Sequence, residues 1–174
     1  MKKPYPILYT ERLDLTRIEN TDAEVVFFQR SNDETMKYIK REPYVSVSQA
    51  LDYIQMVNDQ YAEGKSITWG IRRIGEPQLL GSVCLWKFSE DKKTAEIGYD
   101  LQPKYQNLGI MSEAMKAVLE YGFEVLNLSL IEAFTSQYNS PSIKLLESHG
   151  FVKHPTKRDE GNLDNRIFEK FKTK

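Results

Sequence analysis

The 174-residue chain has one cysteine, Cys84, and two histidines. A lone cysteine closes no internal disulfide, and no Cys or His cluster has ligand spacing, so neither a disulfide nor a metal is expected. Cys84 falls in a strand-like run and reads as a small buried hydrophobe. No apolar stretch is long enough for a membrane span, and the opening MKKPYPILYTERL lacks the apolar core of a signal peptide. A cytoplasmic protein is expected. An excess of either charge is missing too: 24 Lys plus Arg stand against 25 Asp plus Glu, a net charge of -1. That balance removes the general electrostatic reason to bind nucleic acid or an anionic membrane. There is no repeat, low-complexity tract or linker, so residues 1–174 suit one domain, burying about two-thirds of its unfolded surface. Neither G-x-x-x-x-G-K-[ST] nor a strand followed by G-x-G-x-x-G occurs, which sets aside two familiar phosphate loops.

What is present is a regular alternation of strand and helix signals. Glu11–Ile18 alternates as a first strand, with Pro4 and Pro6 keeping the tail before it extended. Asn20-Thr21-Asp22 offers caps for a short helix over Ala23–Arg30, and Met36, Tyr38 and Ile39 suggest a further turn stopped by Pro43. Ser46 or Ser48 caps a second helix, Gln49–Gly64, with Leu51, Ile54, Val57 and Tyr61 on its apolar stripe. Ser66–Ile74 and Leu79–Phe88 form a hairpin around Gly75–Gln78, and a third antiparallel strand follows from Thr94. Leu130–Thr135 lies beyond a crossover helix and is expected parallel to that third strand. Ser140-Pro141 opens a short helix closed by Gly150, in which His149 favours the helix dipole. Phe151–His154 and Arg166–Phe171 close the chain as strands, around a polar loop from Pro155 to Asp164. The C-terminal edge is a place where two copies could pair as a homodimer.

The stretch TAEIGYDLQPKYQNLGIMSEAMKAVLEYGF, Thr94–Phe123, carries the chemistry. Ala95, Ile97, Tyr99 and Leu101 alternate with Glu96, Gly98 and Asp100, the pattern of a half-buried strand, which Pro103 ends. After Lys104–Asn107, Gly109 opens a helix whose stripe is Ile110, Ala114, Ala117, Val118, Tyr121 and Val125. A helix start leaves N–H groups unpaired and a partial positive charge, and a glycine there lets an anion approach; a plain turn uses glycine equally well.

The join Gln106-Asn107-Leu108-Gly109-Ile110-Met111 resembles motif A of the GCN5-related N-acetyltransferases (GNAT), [RQ]-x-x-G-x-[GA], with Met111 in place of the usual small residue. Thr10-Glu11-Arg12-Leu13-x-Leu15 looks like the opening of that superfamily's RimJ/RimL-type branch, where it is a structural strand. Asn139-x-x-Ser142 followed by Leu145-Leu146-Glu147-x-x-Gly150-Phe151 is similar to its C-terminal half. The element order β-α-α-β-β-β-α-β-α-β-β extends the resemblance over the whole chain. It implies an α/β (α+β) fold with a mixed sheet of about seven strands flanked by about four helices.

The resemblance also implies an activity: acetyl transfer from acetyl-CoA to a primary amine by direct attack, without a metal. The amides of Gln106, Asn107, Leu108, Gly109, Ile110 and Met111 would hold the pyrophosphate. Asn139 and Ser142 would contact the pantetheine arm, in a splay beside Tyr99 and Leu101, and an N–H near Tyr99 would face the thioester oxygen. Glu96 stands where many relatives carry a catalytic base, and it reads equally as a solvated strand carboxylate. Relatives often place a tyrosine acid where this chain has Leu146. Ser142 and Tyr138 are the remaining candidates for that acid, although Ser142 also suits a helix first turn and Tyr138 a half-buried ring. The acceptor is open between a (ribosomal) protein N-terminus and a small amine such as a polyamine or an antibiotic. A non-catalytic acyl-CoA sensor is the third reading. The acceptor pocket would be built by Asp33–Ser48 and Pro155–Asp164, whose Asp33, Glu34, Glu42, Asp159 and Glu160 could receive a cation.

Overall fold

Residues 4–173 are described by the computed structural model, and their organising feature is one eight-stranded sheet. Across it run β1 (Leu8–Tyr9), β2 (Leu13–Arg17), β3 (Ile67–Arg73), β4 (Gly81–Trp86), β5 (Thr94–Leu101), β6 (Leu130–Ser136), β8 (Asn165–Phe171) and β7 (Val152–Lys153). Five α-helices accompany it: α1 (Ala23–Ser31), α2 (Asp33–Met36), α3 (Val47–Ala62), α4 (Ile110–Glu120) and α5 (Ser140–Ser148). The sheet and helices are therefore slightly more numerous than the sequence suggests. The added strand, β1, is two residues pairing with Leu15 and Asp14, too short to show a periodicity. The edge on the C-terminal side is the two-residue β7, because β8 inserts between it and β6; it offers little backbone for pairing a second copy.

Only β5 and β6 run parallel, joined by the α4 crossover; every other pair is antiparallel. Alternation along each strand sends one set of side chains to each face. Leu13, Trp69, Val83, Leu85, Ala95, Ile97 and Ile131 meet Ala114, Met115 and Val118 of α4 in the main core. On the opposite face α1 and α3 cover β2 to β4 through Ile18, Val26, Ala50, Ile54 and Leu79. Over β5, β6 and β8 neither of these helices lies on that second face, which carries the row Glu96, Glu132 and Glu169 together with Phe134 and Ile167. Gly81 allows β4 to lie close to β5: a Cβ there would stand 2.2 Å from the Asp100 carbonyl oxygen.

Two expected apolar stripes are displaced, and α1 buries polar side chains. In α1, Phe28 points outward while Gln29 and Arg30 are buried, because Gln29 Nε2 donates to Asp100 Oδ1 (2.9 Å) and Arg30 lies 3.5 Å over the Tyr53 ring. In α3 the buried stripe runs through Ala50 rather than Leu51, and the Ser46 N–H donates to Gln49 Oε1 as the helix starts. After α4 the chain widens into a π-helical turn, Tyr121–Val125, which rotates Val125 into solvent.

Asp22 is a buried charge on which the α1 side depends. Its carboxylate accepts from Arg72 Nη2 (2.7 Å), Arg72 Nη1 (3.0 Å) and the Glu19 N–H (2.8 Å). Replacing it leaves the largely shielded guanidinium unpaired, which costs about 3 kcal/mol or more. Asp22→Ala is therefore expected to lower the urea-unfolding free energy by about 3 kcal/mol. A loss below about 1 kcal/mol, the value of an exposed pair, would contradict this.

Candidate active site

The link between β5 and α4 has the geometry of an anion cradle. After a 3-10 turn at Pro103–Tyr105, Asn107 (φ +60°) and Gly109 (φ +73°) both take left-handed backbone, which asparagine and glycine tolerate best. Among the described residues, no acceptor meets the backbone N–H groups from Asn107 to Ser112; the first bonded one is Glu113 N–H, to the Gly109 carbonyl. A run of unpaired N–H groups at a helix start is what a phosphate needs. The residues present thus fit a pyrophosphate. Gln106 braces the loop by donating from Nε2 to the Leu101 carbonyl (3.1 Å), and Leu108 is exposed. Ile110 and Met111 point into the core, so Met111 differs from the usual small residue without occupying the cradle.

Arg12, which the sequence marks only as part of a strand, is brought to this turn. Its Nη1 donates to the Leu108 carbonyl (3.1 Å) and its Nε to Glu113 Oε2 (2.6 Å); a Cβ on Gly109 would lie 3.3 Å from its Nη2. Partial burial disfavours the Glu113 carboxylate, but hydrogen bonds from Thr10 and Arg12 outweigh this and hold its carboxyl below the usual range. Ser112 Oγ lies 2.9 Å from His149 Nε2, tying α5 to the first turn of α4. Burial, with Lys170 and Lys116 nearby, pushes the His149 pKa down. The neutral ring is favoured, so His149 is a packing contact rather than a charge on the helix dipole.

Beside the cradle, the sheet opens. The parallel ladder ends at Ile97 opposite Ala133, while β5 continues along β4 to Leu101 and β6 along β8 to Ser136. The Gln102 N–H donates to the Leu80 carbonyl of the β4 side, so alternation turns the Tyr99 and Leu101 N–H groups into the gap. Hydroxyls span it: Tyr99 Oη lies 2.7 Å from Ser142 Oγ, to which Thr135 Oγ1 donates at 2.9 Å. Asn139 Oδ1 accepts from the Ser142 N–H (3.2 Å), which fixes α5 against the opening. Burial pushes the Tyr99 hydroxyl up to about 12, so it keeps its proton. Leu146 lies in the core, and Tyr138 is exposed and outside this chain of hydroxyls. Tyr99, Thr135 and Ser142 are the hydroxyl groups at the gap.

On the uncovered face, Glu96 is buried rather than solvated. Burial raises its carboxyl above the usual range, against the Lys87 ammonium 2.9 Å from Oε2. Glu96, Glu132 and Glu169 occupy one row across β5, β6 and β8. Lys157 pairs with Glu132 and, at 3.5 Å, with Glu169. The two segments expected around an acceptor meet here: Lys40 lies 3.1 Å from Asp164. Asp159 is engaged within its own loop, accepting from Gly161 and Asn165. Cys84 is half-buried on this face, and burial pushes its thiol up to about 12, far from a reactive thiolate. No group of metal-holding side chains occurs among the described residues, and no helix among them is long and apolar enough to cross a membrane. A separate cleft of about 320 Å³ lies at the far end of the sheet, lined by Tyr61, Phe88, Tyr121 and Leu128, away from the cradle and the gap.

A helix-start cradle beside parted parallel strands matches what comparison finds. A family model described as an acetyltransferase (GNAT) domain matches residues 12–152. The chain belongs to the GNAT acetyltransferase family. It is 39% identical over 162 residues to the uncharacterized N-acetyltransferase p20 of Bacillus licheniformis, spanning 93% of this chain and 91% of that protein. Among solved structures, the ribosomal-protein-S5-alanine acetyltransferase from Vibrio fischeri superposes with a TM-score of 0.81 at 19% identity, over 95% of this chain and 96% of that one. Spermidine N-acetyltransferase from Vibrio cholerae, in complex with CoA and spermine, superposes with a TM-score of 0.78 at 22% identity, over 91% and 95%. These two likenesses speak for the fold.

Glu113 and the Leu108 carbonyl hold the Arg12 guanidinium against the cradle of this GNAT chain, so Arg12→Ala is expected to weaken acetyl-CoA binding about tenfold, roughly 1.4 kcal/mol. The salt dependence of binding should fall with it. Unchanged affinity at low and high salt, read by calorimetric titration, would remove Arg12 from the site.

Proposed function

We propose that this GNAT chain transfers the acetyl group of acetyl-CoA to a primary amine by direct attack, with no covalent enzyme intermediate. The observation that carries this reading is the buried Glu96 on the open face, beside the point where β5 and β6 part. The co-substrate supplies an activated acyl group as a thioester. The backbone N–H groups from Asn107 to Ser112, with Arg12, receive its pyrophosphate; Asn139 and Ser142 line the pantetheine path. The Tyr99 N–H, turned into the gap, is suited to the charge that develops on the thioester oxygen, and one such donor contributes about 3 kcal/mol.

An amine arrives protonated at neutral pH, so Glu96 acts as base, directly or through a water. Its elevated carboxyl narrows the proton-transfer gap to an ammonium. The departing thiolate takes its proton from the Tyr99–Ser142 hydroxyl pair, since Leu146 at the family's usual tyrosine position has none to give. Tyr138 plays no part in this scheme. The acceptor is a protein N-terminal amine, as the name of the Vibrio fischeri relative suggests for that protein. A polyamine is the second reading, favoured by the row Glu96, Glu132 and Glu169, which suits a ligand carrying more than one positive charge.

A thiol-release screen over N-terminal peptides and polyamines tests the reading. In the wild type, kcat/KM for the best amine should fall as pH drops through a value above the ordinary carboxylate range, because Glu96 must be ionised to accept a proton. Glu96→Gln should lower turnover about a hundredfold and abolish that limb. Retained turnover with an unchanged acid limb would dismiss Glu96 as the base.

A further inference from the structure

The face on which Glu96 lies already holds an amine. Lys87 follows the last residue of β4 and takes a left-handed backbone (φ +48°), uncommon for a residue with a Cβ. Continued extended backbone would alternate Lys87 away from Trp86. Instead its Nζ lies 4.3 Å from the centre of the Trp86 ring, 5.5 Å from that of Phe134, and 2.9 Å from Glu96 Oε2. Trp86 and Glu96 are directly paired across β4 and β5, and Phe134 stands on β6 at the first position after the parallel ladder ends. Two aromatic faces and a carboxylate are the set that selects a cationic amine. The side chain is 58% exposed, so solvent and a bound acyl group can reach its ammonium.

We infer that Lys87 is an internal acceptor: its ε-amine occupies the amine subsite against Glu96 and is acetylated by the chain's own bound acetyl-CoA. This rests on the proposed transfer reaction and names an acceptor for it within the protein. The chemistry balances as for an external amine. Lys87 passes one proton to Glu96, its nitrogen forms the C–N bond to the thioester carbonyl carbon, the C–S bond breaks, and the remaining surplus proton goes to the departing thiolate. From Glu96 to Gly98, at the start of the gap, is about 7 Å of strand, comparable to the reach of a lysine stem. The product is a neutral amide that no longer offers Glu96 a cation, so one self-modification changes both the occupancy and the charge of the subsite.

The test is incubation of the purified full chain with acetyl-CoA and no added amine, followed by peptide mapping by mass spectrometry. Lys87 should be modified at least tenfold faster than the exposed Lys65 and Lys104, at a first-order rate that does not change over a tenfold range of protein concentration. Glu96→Gln should slow the modification at Lys87 while leaving background labelling at Lys65 alone, and an external amine that is turned over should protect Lys87. Thiol release with an external amine but no selective label at Lys87 would overturn the inference while leaving the transferase reading intact. A rate proportional to protein concentration would overturn it as well, since the acceptor would then serve another molecule. Absence of both thiol release and acetyl-CoA binding would remove the transferase reading and this inference together.

Discussion

Backbone pairing in a sheet is close to obligatory, and the place where this sheet gives it up determines the rest of the molecule. Past Ile97 and Ala133, β5 and β6 no longer bond to each other, yet each stays fixed by its outer neighbour, β4 or β8. The gap is thus held open by strands that cannot close it. Tyr99, Thr135 and Ser142 bridge it with hydroxyls rather than apolar side chains, which gives the opening a polar lining. The crossover helix that makes β5 and β6 parallel also sets its N-terminus at the same end of the gap. One topological choice therefore supplies both features of the proposed site, the parted strands and the unpaired helix-start amides.

The two faces divide the remaining work. The α4 face is filled by the main apolar core, which fixes the cradle because Ile110 and Met111 are part of it. The other face keeps its charged row uncovered beyond α1 and α3. There, carboxylates that are costly to shelter are matched by Lys87 and Lys157, both reaching in from loops. Loop-borne cations can leave more readily than strand-borne carboxylates can, so the arrangement favours exchange of one amine for another.

Much of this was legible in the sequence, for identifiable reasons. The alternation of Ala95, Ile97, Tyr99 and Leu101, the turn at Gly109 and the α4 crossover are local signals, and they led directly to the cradle and the parallel pair. The buried stripes of α1 and α3 were less legible, because tertiary partners decide them: Asp100 draws Gln29 inward, and Ala50 packs where Leu51 was expected. The π-helical turn at Tyr121–Val125 has no signature in a period-based reading. Arg12 is not legible because its contact with Leu108 spans more than half the chain, nor is Lys87, because its backbone leaves the strand pattern. Thr135 and Tyr99 were in view as strand residues, but their hydroxyl contacts with Ser142 exist only once β6 and α5 are folded back on β5.

Amide hydrogen exchange with and without acetyl-CoA tests the central claim most directly, because it reads where the co-substrate lies without requiring an acceptor. Binding in the gap predicts slower exchange from Asn107 to Ser112 and at Tyr99 and Leu101, with little change around Phe88 and Tyr121. Protection confined to the far cleft, or none at the cradle under saturating acetyl-CoA, would contradict the account.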